Sequence, residues 1–272
     1  MRVTRLGQVI FAAGLAGLGV VSFVFRNFEL FWALPPALLA WNAAFARASG
    51  VVLIAAGLGM LLPRTARLAT LVATLYVLLW LLLLGVRAVV RHPGIEVGWL
   101  SFGQNLMLVT GGWTLLGSFP ERGSDRPAGS IEPRSRRAAL VLYGLALPPV
   151  GLSHFVYLNL TAPLVPAWLP FHTGFAYLTG AGHIAAGLGI LFGVLPRLAA
   201  TAEATMITIF TVFVWVPAIA AAPATREPWL EFFLSAAIAG AAWIIAGSLQ
   251  DAPWGFARRI APPRAAAAPE PV

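Results

Sequence analysis

Five ionisable side chains in apolar surroundings carry the chemistry this sequence offers: His154, His172, His183, Glu203 and Glu231. His183 lies midway along the glycine-rich run AYLTGAGHIAAGLGIL (Ala176 to Leu191). Gly180, Ala186 and Gly187 stand three and four residues from it, so its ring faces a close helix contact and not lipid. An imidazole there can bond a carbonyl or hydroxyl of a neighbouring helix, or take and release a proton. His154 follows Pro148, Pro149 and Gly151. Two consecutive prolines remove two helical donors and release the carbonyls of Gly144 and Leu145, which predicts a kinked helix with bare acceptors beside a histidine. Broken helices of this kind line binding sites in transporters.

Glu203 is expected about two turns inside the inner end of its helix, where it snorkels, pairs with a cytoplasmic arginine or handles a proton. Glu231 stands at the start of another helix, the end whose field favours an acid. His172 falls in a loop after LVPAWLP, and Arg47, Gln104 and Asn105 complete the polar set. Only His154 and His183 could pair as axial ligands of a haem, and their expected depths, outer face and mid-membrane, match poorly. There is no phosphate loop, no GxSxG, no HExxH and no paired metal-ligand spacing. The absence of cysteine excludes disulfides, thiolate zinc sites, iron–sulfur clusters and covalently attached haem within the chain. Redox chemistry would then need a non-covalent cofactor or a partner.

The elements that hold these residues are apolar helices. Of 272 residues 59% are hydrophobic and 10% charged, with a mean hydropathy of +0.83. Soluble domains carry about a quarter charged residues, so this chain belongs in a bilayer. The net charge of +8 rests on 18 arginines and no lysine. They sit in short loops between apolar runs, where they set topology and touch anionic lipid rather than nucleic acid. Spans are expected at about 7–25, 44–62, 66–89, 98–117, 138–156, 174–193, 198–221 and 229–249. The first has no convincing small-x-small cleavage site and is read as an uncleaved span.

The run at Ala176 to Leu191 has an earlier copy, ARASGVVLIAAGLGML, 130 positions upstream at Ala46 to Leu61. At that offset Pro36/Pro166, Gly50/Gly180, Gly57/Gly187, Arg67/Arg197, Trp99/Trp229 and Trp113/Trp243 coincide, which reads as a tandem duplication. His183 answers to Leu53 and Glu203 to Ala73. The expected architecture is all-α and polytopic: eight transmembrane helices as two parallel four-helix-bundle repeats. The repeats occupy 1–118 and 138–250, with a polar cytoplasmic linker at 119–137 and a disordered tail at 251–272. Thirteen arginines fall on the side of the termini and five (Arg26, Arg47, Arg87, Arg91, Arg226) on the other, which puts both termini in the cytoplasm.

The second half resembles the DoxX family of small four-helix membrane proteins. The resemblance is carried by GLSHFVY (Gly151 to Tyr157), LVPAWLP (Leu164 to Pro170), LTGAGHIAAGLGIL (Leu178 to Leu191), LPRLAA (Leu195 to Ala200) and EPWLEFF (Glu227 to Phe233). The first half keeps IAAGLG and RLA but lacks the SHF and GH pairs. The resemblance implies a bacterial inner-membrane bundle. Family members are associated with quinone-linked sulfur oxidation and with oxidoreductase assemblies that counter oxidative stress. It therefore implies a quinone as a cofactor to consider, a soluble or membrane oxidoreductase subunit as partner, and membrane lipid around both. His154 and His183 are the histidines of its strings. A non-enzymatic scaffold is the alternative, and a small-solute carrier is disfavoured by parallel repeats.

Overall fold

Long runs of leucine, valine and alanine without lysine or aspartate favour the α-helix, which satisfies every backbone polar group within the segment and without water. The computed structural model describes residues 2–28, 34–120 and 131–255, and eight long helices account for most of them. They are α1 (Arg2–Phe25), α2 (Asn42–Leu61), α3 (Ala66–Arg91), α4 (Glu96–Ser118), α5 (Pro133–Val156), α6 (His172–Phe192), α7 (Pro196–Ala221) and α8 (Arg226–Ser248). Seven of them are long and apolar enough to cross a membrane. The exception is α4, whose length matches but whose interior carries Gln104, Asn105 and five glycines. It packs against α3, α5 and α8, so protein contacts replace the lipid that would demand higher hydropathy.

Helix boundaries recur at a spacing of 130. Both α3 and α7 pass through a π-helical turn, Leu81–Gly85 and Thr211–Trp215, and α4 and α8 begin and end 130 residues apart. The indole of Trp99 donates to the Pro93 carbonyl at 2.9 Å, and Trp229 donates to Pro223 at the same distance. The expected linker is shorter than its composition suggested. Pro133 starts α5, and Glu132 caps it by accepting from the Ser135 amide at 2.6 Å. Residues 121–130 of the linker and 256–272 of the tail lie outside the described residues, as do 29–33 of the loop after α1.

Neighbouring helices are antiparallel and lie side by side, but the halves interlock. Along its length α1 packs on α2 and on α8, and α5 packs on α6 and on α4. The fourth helix of each half thus lies against the first helix of the other, and α4 and α8 touch at the centre. Small residues permit these approaches where lipid supplies no hydrophobic force between helices. A Cβ on Gly7 would lie 2.8 Å from the Ile244 nitrogen and 2.9 Å from the Gly240 carbonyl, and one on Gly240 would collide with the backbone of Phe11.

Pro148 and Pro149 do not interrupt α5, which runs as one helix to Val156. The carbonyl that Pro148 releases, on Gly144, is taken up in a close backbone approach to α6. A Cβ on Gly187 would stand 2.8 Å from it. The break comes later, at Tyr157, after which the chain makes one turn (Leu158–Thr161) and a short 3₁₀ segment (Ala162–Leu164). At the opposite end α6 stops at Gly193, whose φ of 70° only glycine adopts without strain, with Val194 N–H returning to Gly189.

Candidate functional site

The buried stripe of α6 is Ala176, Thr179, Gly180, His183, Ala186, Gly187 and Ile190, three and four residues apart, and that of α7 is Ala200, Glu203, Ala204 and Ile207. Folding these helices as an antiparallel pair brings His183 and Glu203 together. The Nδ1–H of His183 donates to the Glu203 carboxylate, 2.9 Å from Oε1 and 3.1 Å from Oε2. His183 is 3% exposed and Glu203 1%. Among the described residues the partner of this acid is His183 and not an arginine. Arg197 at the base of α7 instead donates to the Ala252 carbonyl and lies over the Trp254 ring.

His154 stacks on His183, ring centroids 5.5 Å apart and planes 30° from parallel. The two levels therefore match, correcting the depth estimate. That estimate measured each histidine from a span end. However, α5 stops two residues beyond His154, whereas α6 extends eleven residues outward from His183, so the two ends differ by about 14 Å at 1.5 Å per residue. Gly180 makes the room: a Cβ there would lie 2.9 Å from the His154 Cβ and 2.6 Å from the Phe155 ring. Stacked rings present faces to each other rather than nitrogens, and Glu203 occupies one nitrogen of His183, so the pair does not bracket a haem iron.

Tyr143 lies on the same face of α5 as His154, eleven residues and three turns earlier, about 16 Å along the axis. It is fully buried, its hydroxyl has no hydrogen-bond partner, and it lies within the field of the Glu203 carboxylate. His154 Nδ1 is likewise buried without a partner, although the residue as a whole is half-buried. The other expected site residues stand apart. His172 is the first residue of α6, eleven positions from His183, beside a shallow hollow formed by the residues 167–174. Glu231 is partly buried near the start of α8, in the field of Arg226.

The arrangement suits proton handling. A carboxylate on Nδ1 fixes the tautomer of His183 and leaves Nε2 as the basic nitrogen. A proton arriving at Nε2 makes an imidazolium that Glu203 stabilises, and the Nδ1 proton can then pass to the carboxylate. Tyr143 and His154 add two donors. Their chemistry suits a quinone carbonyl. Two open clefts, beside the start of α4 and at residues 167–174, are lined by other residues, and the Gly151–Gly180 crossing brings the helices together over the pair.

Seven membrane-length apolar helices make this a multi-pass membrane protein. No protein-family model, curated protein or solved structure matches the chain.

Proposed function

We propose that the chain is the membrane subunit of a redox complex of DoxX type, in which the tyrosine–histidine–glutamate cluster moves a proton while an oxidoreductase partner carries the electrons. The observation behind this reading is the contrast between the halves. At the matched positions of the first half stand Leu53 and Ala73, and Leu53 is fully buried. Packing at these positions is therefore met by apolar side chains, and a charged group inside a span costs at least about 2.5 kcal/mol on insertion scales. A buried pair retained at that cost has a reason other than filling space.

The same reading takes α4 as an eighth span and the two halves as parallel repeats of one four-helix unit. The arginine-rich end, with both termini, faces the cytoplasm of a bacterial inner membrane. His154, half-buried near the other end of α5, is then the entry point from the outer side, and Glu203 the buried end of the path. A quinone, where one copurifies, is held with the oxidoreductase partner that docks through this half.

A scaffold or assembly role is favoured by one observation, the tight glycine crossing of α5 and α6 around the histidines. Gentle solubilisation followed by native mass spectrometry and quinone extraction separates the readings. The redox reading expects a stoichiometric oxidoreductase subunit or quinone on the wild type, lost in both His154→Ala and His183→Ala. A bare chain with bulk phospholipid only, unchanged by either substitution, would overturn it in favour of the scaffold.

A further inference from the structure

An open cleft lies on the other side of α5, at the end of the bundle opposite the N-terminus. About 800 Å³ opens between the start of α4 and the outer half of α5. Pro148, Pro149, Leu152 and Val156 line one wall, and Ile95 and Trp99 the other. Glu96 projects among these apolar groups. It is 9% exposed, and neither carboxyl oxygen has a hydrogen-bond partner.

Helix-end electrostatics do not account for it. An acid in the first turn gains from capping or from the helix field, but the α4 N-terminus has no side-chain cap. The nearby Val97 amide donates to the Tyr157 hydroxyl at 3.1 Å instead of to Glu96. The matched position in the second half is Arg226, so the fold does not demand a carboxyl where this helix starts. A buried carboxylate without a partner is unfavourable and either takes up a proton or finds a cation.

We infer that this cleft binds an ammonium-bearing amphiphile, the cation on Glu96 between the Trp99 and Tyr157 rings and the chain along Pro148, Leu152 and Ile184. Aromatic faces stabilise an ammonium through their quadrupoles, and the apolar wall suits an alkyl chain. The ammonium can come from a lipid headgroup or from a free lipophilic amine. The site is separate from the histidine cluster and does not depend on the redox reading.

The test uses the full chain in phosphatidylglycerol nanodiscs, with or without phosphatidylethanolamine, read by native mass spectrometry. Dodecylamine is the probe; dodecanol and dodecanoate are chain-matched controls. The expected result is a saturable dodecylamine adduct that Glu96→Gln weakens about tenfold or more, with dodecanol and dodecanoate weak on both proteins. A retained phosphatidylethanolamine that dodecylamine displaces identifies the lipid as the source, and an amine adduct without it identifies a free amine. Equal binding of dodecanol and dodecylamine, or amine binding unchanged in Glu96→Gln, overturns the inference. If Glu96→Gln does not purify as a monodisperse species, the amine-against-alcohol contrast on the wild type decides. His183→Leu/Glu203→Ala should leave the amine adduct intact, and its loss there would overturn the separateness of the site.

Discussion

Glu203→Ala is expected to destabilise the folded protein by about 3 kcal/mol, and adding His183→Leu to recover most of that loss. Removing one member of a buried, hydrogen-bonded pair leaves the other desolvated and unpaired, which typically costs about 3–5 kcal/mol. Replacing both with apolar groups removes the orphan. The first half already holds the replacement, Leu53 with Ala73, at the same helical positions. Thermal unfolding of the purified wild type, both single variants and the double variant forms a double-mutant cycle that reads the coupling directly. The expected pattern is two damaged single variants and a double variant near the wild type. Additive losses would mean that the 2.9 Å contact contributes nothing to the fold. The double variant also separates stability from function: stable but without redox coupling under the proton reading, and fully competent under a scaffold role.

Gly240→Leu should release α1 from α8 and cost about 3 kcal/mol or more. Overpacking in a well-packed interior typically costs about 1–3 kcal/mol, and here the atoms in the way belong to the backbone of Phe11, which cannot rotate aside. The crossing joins the first helix of one half to the last of the other, so its loss opens the interlock and not only a local contact. Gly98→Leu is the control, because a Cβ on Gly98 meets nothing within 4 Å. Size-exclusion profiles after graded heating should show early aggregation for Gly240→Leu and wild-type behaviour for Gly98→Leu. Equal behaviour of the two variants would contradict the interlocked arrangement.

The membrane helices were legible because apolar run length is a local property, and the crossing glycines because small residues at spacings of three and four mark a face. Interlocking was not legible. Two bundles side by side and two bundles that exchange their fourth helices need the same amphipathic faces, and only the three-dimensional contacts of α1 and α5 tell them apart. The site was legible in part. His183 and Glu203 each stood out as costly groups opposite apolar counterparts, but the short turn at 193–195 sets the register that pairs them, and composition does not encode that register. Depth counted from span ends misplaced His154, because α5 ends early at Tyr157. Tyr143 went unnoticed because a phenol inside a helix looks ordinary. Its signal was the three-turn spacing to His154 on the same face. The double proline predicts a kink, and the Gly144 carbonyl it frees lies against Gly187 in a helix that runs on as one element.

The most direct measurement is infrared spectroscopy of the lipid-reconstituted protein on transfer from H2O to D2O, which reads whether the protons of the His183–Glu203 pair exchange. Wild type would be compared with Glu203→Gln and with His183→Leu/Glu203→Ala. The proton-handling account predicts a carboxyl band and an imidazole ring mode that change together in the wild type, both absent from the two variants. Wild-type difference spectra identical to those of the variants would show a pair that does not exchange protons in the folded state, and would contradict the account.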